Sequence, residues 1–295
     1  MSTQSSRNIL NLVLLVVILG LVAIVVYEPG KEKPLTPPTL TQLKAADINN
    51  IKISRQTDKR DIELSKTANG WVILKPFQLP ANTFRIDSIL KLLSTVSFSQ
   101  NDLDKLDPRN FGLDKPFATI TLNNKTLIIF GHNKSLKHLR YVQIGSVLHM
   151  IADTFYYQLA AKAESFIDHQ LIPKARKITQ LHLPGLKLEQ KEDKWDVTPK
   201  PRHFSMDSVN ELISEWQLSQ AYDIGYDKNK IEPRADAHAD IRITLDNQDV
   251  MRFNIVKDPD GFALLNVNNG VKYILTQDRK NKLLKLPEPE SSDKQ

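Results

Sequence analysis

Residues 85–100, RIDSILKLLSTVSFSQ, recur in altered form at residues 205–220 as SMDSVNELISEWQLSQ. In both stretches the apolar residues step by 3, 3, 1 and 3 positions, which is the spacing of one apolar face on an α-helix. The chain therefore contains two related helices, each needing a surface to cover its apolar face. The first stripe is Ile86, Ile89, Leu92, Leu93 and Val96, and the second, 120 residues later, is Met206, Val209, Leu212, Ile213 and Trp216.

Strand patterns around the two helices recur as well, at offsets of 123 or 124 residues. Alternating apolar and polar residues precede Trp71 in the first copy and Trp195 in the second, as in half-buried hairpin strands. After the helix, ATITL at residues 118–122 returns as IRITL at residues 241–245. Each copy thus predicts a β-hairpin, a strand, a helix, three or four strands and a short closing helix.

This order of elements predicts an α+β fold with two tandem repeats, each a mostly antiparallel β-sheet packed with one main helix. We place the first repeat at residues 43–170 and the second at residues 171–286. The polar stretch at residues 287–295 is predicted to be a disordered tail.

The N-terminal region is predicted to anchor the chain in a membrane. Residues 9–27, ILNLVLLVVILGLVAIVVY, carry no charge and are long enough, at about 1.5 Å per residue, to span most of a roughly 30 Å hydrocarbon core. A cleaved signal peptide has a shorter apolar run and an A-x-A-like site, which Ala23 does not form. We therefore expect a transmembrane helix at residues 9–27, after a short cytoplasmic tail at residues 1–8 and before a Pro-rich linker at residues 28–42.

Basic residues do not settle the orientation, because Arg7 precedes the helix and Lys31 and Lys33 follow it. A short tail before a large domain resembles a signal anchor with its N-terminus inside the cell. We predict a single-pass protein of the bacterial inner (cytoplasmic) membrane whose C-terminal domain is periplasmic. The absence of cysteine is compatible with the periplasm and excludes disulfides and thiol catalysis.

Three segments in fixed order carry a family resemblance: NGWVI at residues 69–73, RIDSILKLLSTV at residues 85–96 and DKLDPRNFGLDKP at residues 104–116. Together they resemble the bacterial membrane-anchored family catalogued as domain of unknown function 4340, over roughly residues 40–285. The resemblance implies no activity and no site residues. Some members accompany gliding-motility-type ABC transporter components, which implies a role in a membrane complex. The second copy has IEPRAD, residues 231–236, in place of GLDKP.

Motifs for catalysis or cofactor binding are absent from the sequence. The glycines of the soluble part are isolated, so no phosphate-binding loop is present, and neither G-x-S-x-G nor H-E-x-x-H occurs. His132, His138 and His149 fall in one strand region and could converge on a metal ion. Lysines near the first two would repel a cation, which favours solvated loop histidines. We predict no catalytic, cofactor-binding or metal-binding residues and no cofactor.

Two further groups of residues have a structural and a functional interpretation. Asp102, Asp104 and Asp107 could form an acid–base pair, but in a Pro- and Asn-rich loop they are typical of turns and caps. Trp71 and Trp195 could form a stacking platform for a ligand, whereas their repetition at matching positions favours a role in the core.

The net charge of +6 is spread over interleaved bases and acids, so no nucleic-acid partner is predicted. The leading hypothesis is a non-catalytic, membrane-tethered extracytoplasmic interaction module. Its partners would be the lipid bilayer, through residues 9–27, and an envelope protein such as an ABC-type transporter. The alternatives are an extracytoplasmic solute- or glycan-binding protein, or a hydrolase with an unrecognised site in the cleft between the repeats. A deep cleft lined by Asp, His or Trp from both copies would favour these alternatives.

Overall fold

The computed structural model describes the backbone of residues 3–27, 37–56, 58, 60–134, 138–192, 194–202, 205–231, 239–259 and 261–287. Its contacts divide the chain into two compact units, Met1–Pro38 and Thr39–Gln295. Most of the predicted linker at residues 28–42, and all but the first residue of the predicted tail at residues 287–295, lie outside the described residues.

The first unit contains one helix, α1 (Thr3–Tyr27), which begins inside the stretch predicted to be a cytoplasmic tail. Its described large apolar side chains are all exposed, from 49% for Ile18 to 63% for Leu12. Within the described part of the chain, no helix combines the length and the hydropathy that a membrane crossing needs. The transmembrane anchor at residues 9–27 stays a prediction.

The second unit is α+β and contains two antiparallel sheets, as the sequence predicts. Its helices are α2 (Thr83–Leu90), α3 (Tyr156–Ala160), α4 (Met206–Leu218) and α5 (Gln277–Leu284). The strands of the first sheet are β1 (Asn50–Arg55), β2 (Ile62–Thr67), β3 (Gly70–Lys75), β4 (Leu79–Pro80), β5 (Ser99–Asp102), β6 (Ala118–Leu122), β7 (Thr126–Lys134), β8 (Leu139–Ile144) and β9 (Val147–Ala152). Those of the second sheet are β10 (Ile178–Leu183), β11 (Leu186–Lys191), β12 (Lys194–Thr198), β13 (Asp223–Tyr226), β14 (Ile241–Leu245), β15 (Val250–Asp258), β16 (Gly261–Asn266) and β17 (Val271–Leu275).

The two sheets have the same strand order. The first runs β4-β3-β2-β1-β6-β7-β8-β9-β5 and the second runs β12-β11-β10-β14-β15-β16-β17-β13. In each, the chain leaves the hairpin edge, passes through the main helix, and adds one strand at the opposite edge before it returns to the middle. Among the described strands only β4 has no counterpart. The two copies therefore share one topology.

Five strands follow the main helix in each copy, so the expectation of three or four is wrong. The additional strand is the edge strand, β5 or β13, which pairs with β9 or β17. Residues 99–102 of β5 read SQND and have no apolar alternation to mark a strand. The strand β5 is therefore held by backbone pairing and has no buried face.

Most residues of the two apolar stripes are buried, while Val96 and Ile213 are half-buried and Met206 is exposed. In the first copy α2 carries the start of the stripe, a 3₁₀ turn at Lys91–Ser94 carries Leu92 and Leu93, and Val96 lies beyond both. In the second copy Val209, Leu212 and Trp216 are buried, whereas Met206 is 41% exposed. Trp216 Nε1 donates a hydrogen bond to the carbonyl of Leu283 at 2.8 Å, which fixes the closing helix α5 against α4.

The FGLDKP segment packs on the first sheet and forms a small second core there. Leu113 of this segment is buried with Leu103 and Leu148, and the Phe111 ring meets the edge of Tyr141 at 5.0 Å between centroids. A Cβ atom on Gly131 would lie 2.1 Å from the carbonyl oxygen of Phe111. The segment can approach β7 this closely only because position 131 has no side chain.

An extended segment at residues 166–171, which we call the connector, joins the two copies. On one side the amide of Asp168 donates to the carbonyl of Pro80 at 2.9 Å, and on the other side the amide of Ala221 donates to the carbonyl of His169 at 2.9 Å. The connector is thus hydrogen-bonded to both copies, and the predicted boundary between residues 170 and 171 falls inside it. Its apolar residues Phe166, Ile167 and Leu171 are at most 1% exposed.

Candidate functional site

A cleft of about 660 Å³ lies where the two copies meet the connector. Its walls come from the Trp71 strand and the start of α2 in the first copy and from the β14–β15 turn in the second. The chain from Asp168 to Arg176 lies between them. Lining residues are Asn69–Val72, Pro80–Phe84, Asp168–Gln170, Pro173–Arg176, Gln220, Leu245, Asn247 and Asp249.

The connector supplies three consecutive polar residues to the lining of this cleft, Asp168, His169 and Gln170. One carboxylate oxygen of Asp168 accepts a hydrogen bond from the amide of Gln170 at 3.3 Å. Nδ1 of His169 lies 2.9 Å from the carbonyl oxygen of Ala221. Because a carbonyl can only accept, Nδ1 carries the hydrogen and Nε2 is left as an acceptor in the neutral ring.

Gln170 is the most unusual of the three. It is 8% exposed, and its Oε1 atom is buried without a hydrogen-bond partner among the described residues. A buried acceptor left unpaired costs about 1–3 kcal/mol. Gln170 also lines an adjoining pocket of about 110 Å³. The same pocket is lined by Tyr273, whose pKa is raised well above its usual range, first by burial and then by the charge of Asp168, so that its phenol stays neutral.

Aromatic and charged side chains complete the cleft. Trp71 is 6% exposed and belongs to the core, as predicted, and it is also among the residues that line the cleft. Trp195 is partly buried and packs against the main core. Phe84 is 79% exposed. Two carboxylates, Asp168 and Asp249, stand against two bases, Lys174 and Arg176, so the formal charges of the lining cancel.

The histidines considered as metal ligands do not converge. His149 is buried on β9 beside Ser97, while His132 and His138 are exposed. In the part of the chain that the structure describes, no cluster of three or more His, Asp, Glu or Cys side chains is placed to hold a metal. Burial lowers the pKa of His149.

Ser97 and His149 are in contact, 3.0 Å from Oγ to Nδ1, but they do not form a nucleophile–base pair. The Ser97 hydroxyl donates to the carbonyl of Ser99 at 3.0 Å, so Nδ1 of His149 must be the donor in the pair. A general base would have to accept the hydroxyl proton instead.

Asp102 and Asp107 cap turns, as predicted, and Asp104 lies within the first of these turns. Asp102 accepts a hydrogen bond from the amide of Asp104 at 3.1 Å, and Asp107 accepts one from the amide of Arg109 at 3.0 Å. Side-chain hydrogen bonding from Arg109 lowers the pKa of the Asp107 carboxyl. These carboxylates are structural and are not among the residues that line the cleft.

The cleft residues were missed at the level of sequence, although a local signal existed. Asp-His-Gln at residues 168–170 is a polar group between two apolar pairs, Phe166-Ile167 and Leu171-Ile172. A solvent-exposed loop between two domains would not be expected to contain four apolar residues that are buried. Their presence marks a buried connector whose polar residues have to face something other than solvent.

A family model described as Domain of unknown function (DUF4340) matches residues 71–239, which is more than half of the chain. The matched region contains Trp71, the connector and α4. No curated protein and no solved structure matches the chain.

Proposed function

Because this chain belongs to the family described as Domain of unknown function (DUF4340), whose description states no activity, we propose a function from its physical features. The function is that of a membrane-tethered, extracytoplasmic interaction module. Helix α1 would hold the chain in the bacterial inner membrane, and the two α+β copies would face the periplasm.

The observation that carries this proposal is the exposed surface of α1. Its large apolar side chains between Ile9 and Val22, all those that the structure describes there, are 49% to 63% exposed. A helix that is apolar on all sides needs an apolar environment to cover it. At about 1.5 Å per residue, the 25 residues of α1 extend roughly 37 Å, which is enough to cross a hydrocarbon core of roughly 30 Å.

Two exposed apolar residues at equivalent positions support an interaction role for the copies. Phe98 is 61% exposed and Leu218, 120 positions later, is 71% exposed. Phe98 follows α2 and its 3₁₀ turn, and Leu218 is the last residue of α4. Large apolar side chains left in water at one place in both copies are typical of contact surfaces. The proposed partner is an envelope protein, and the family resemblance points to a component of an ABC-type transporter.

The tether is tested by placing charge in the middle of α1. Each arginine at the centre of a spanning helix costs about 2.5–3.5 kcal/mol on insertion. The double variant Leu15→Arg with Ile18→Arg should therefore move the full-length protein from the membrane pellet to the soluble fraction. The matched variant Leu15→Val with Ile18→Val should stay in the pellet. Recovery of the unprocessed wild-type chain in the soluble fraction would refute the tether.

The orientation is tested separately in spheroplasts. A protease added outside should remove a C-terminal tag from the wild-type protein without lysis of the cells. A tag that is cleaved only after lysis would put the copies in the cytoplasm and reject the periplasmic part of the proposal.

The contact surface is tested by a photo-crosslinking amino acid placed at Phe98 or at Leu218 in intact cells. Both positions should give the same adduct, and mass spectrometry should identify it as a membrane or envelope protein. Lys91 and Glu211, which are exposed and also separated by 120 residues, are the matched controls. Equal adducts at the control positions would contradict a specific surface at Phe98 and Leu218.

A further inference from the structure

We propose that the cleft between the two copies binds a neutral saccharide, with the connector as its polar floor. This site is independent of the tether, because its residues all belong to the unit Thr39–Gln295. It assigns a ligand class to a surface that the interaction role does not use.

The first argument is the unpaired oxygen of Gln170. Gln170 lines the cleft, and its Oε1 atom is buried and accepts no hydrogen bond from the described residues. Buried acceptors are nearly always paired with a donor in folded proteins. A ligand hydroxyl that donates to Oε1 would supply the missing bond, and such a bond discriminates strongly against ligands without the hydroxyl.

The second argument is that further acceptors stand beside Gln170. His169 offers Nε2, since Nδ1 is occupied by the carbonyl of Ala221, and Asp168 keeps one carboxylate oxygen outside its bond to the Gln170 amide. Three neighbouring residues of the lining therefore carry hydrogen-bond acceptors. A ligand with several hydroxyl donors on adjacent carbons is the chemistry that satisfies such a row.

The third argument concerns charge and apolar surface. The two acids and two bases of the lining cancel, so the cleft selects neither an anion such as a phosphate nor a cation. Trp71 and the exposed ring of Phe84 provide apolar surface on the first-copy side. Sugar rings combine hydroxyl edges with faces of C–H groups, and aromatic rings suit those faces. The polar and the apolar residues of the lining thus fit one ligand class.

The volume is also in keeping with this class. Small-molecule sites commonly enclose roughly 300–1,000 Å³, and the cleft holds about 660 Å³.

Calorimetric titration of the full-length protein tests this proposal, in a detergent without a sugar headgroup. The probes are maltotetraose, cellotetraose and triacetylchitotriose, and glucose-6-phosphate and glucosamine serve as charged comparisons. At least one neutral oligosaccharide should bind with a Kd of 1 mM or lower, and the charged comparisons should bind at least about tenfold more weakly. The three neutral probes distinguish a glucan from an N-acetylated glycan. Failure of all three to bind would overturn the proposal.

Variants then locate the binding. Gln170→Leu should weaken binding at least about tenfold without lowering the melting temperature, because leucine removes an acceptor that has no partner in the free protein. Gln158→Leu is the matched control, since its Oε1 is likewise buried and unpartnered but lies outside the cleft, and it should bind as the wild type does. Phe84→Ala, at a residue that is 79% exposed, should fold normally and also bind more weakly. Wild-type affinity in both Gln170→Leu and Phe84→Ala would refute the site, and Phe84→Ala decides alone if Gln170→Leu does not fold.

Discussion

Among single residues, Arg140 shows how the first copy accommodates a buried charge. It is 5% exposed, and its guanidinium forms two bonds to Asp153, at 2.7 and 2.9 Å, and one to the carbonyl of Gly131 at 2.6 Å. It also lies over the ring of Phe117, 4.8 Å from the centroid. In a site with little water these contacts depend on one another, because each lowers the cost of burying the same charge.

We predict that Arg140→Ala destabilises the protein by about 3–5 kcal/mol, since it leaves the carboxylate of Asp153 buried without its partner. Arg109→Ala is the matched control, because Arg109 also binds a nearby aspartate, Asp107, through two nitrogens but is 76% exposed at its side chain. The control should cost less than about 1 kcal/mol. Urea unfolding measures both, and similar losses in the two variants would contradict this account.

At the scale of elements, the sequence predicts those whose signal is apolar periodicity. The strands β6 and β14 have the bounds taken from the ATITL and IRITL repeats, and most residues of the two apolar stripes are buried. The edge strand β5 was not predicted because its sequence has no apolar alternation. The edge strand β13 buries Ile224 but is only four residues long, which is too short for a clear alternating pattern. The docking of the FGLDKP segment was not predicted either. This docking depends on Gly131, which is distant from the segment in sequence.

We predict that Gly131→Ala undoes this docking. The new Cβ atom would lie 2.1 Å from the carbonyl oxygen of Phe111, so the FGLDKP segment must move away, at a cost of at least about 1–3 kcal/mol. Gly225→Ala is the control, because its nearest neighbour would be the Lys272 side chain at 3.4 Å. Hydrogen exchange should rise at residues 108–113 in the first variant only. Unchanged protection there would show that the segment tolerates the extra carbon.

Across the whole molecule, one cluster of buried side chains runs through both sheets, and the connector belongs to it. Repeated apolar patterns predict two cores, but they do not predict how the two copies pack against each other. The packing of the two copies creates the cleft. Asp168, His169 and Gln170 become a candidate site only through neighbours such as Gln220 and Asp249, which are fifty or more residues away in the chain. The site was therefore out of reach of motif and spacing.

A shared core predicts that both copies unfold together. Leu171→Ala removes a connector side chain that is 0% exposed and should cost about 2–5 kcal/mol. Hydrogen exchange should show the same loss of protection in β1 and in β16, one strand from each sheet. Leu127→Ala, at a position that is 45% exposed, should leave both nearly unchanged. Loss of protection in one sheet alone would mean that the copies fold independently.

The position of the connector bears on how such a protein could have arisen. A free half, or two halves that associate without a peptide link, has no chain to lay between the sheets and no Asp-His-Gln group to place there. The floor of the cleft is therefore a product of covalent fusion. In the single chain, the residues that link the two copies are also the residues that line the space between them.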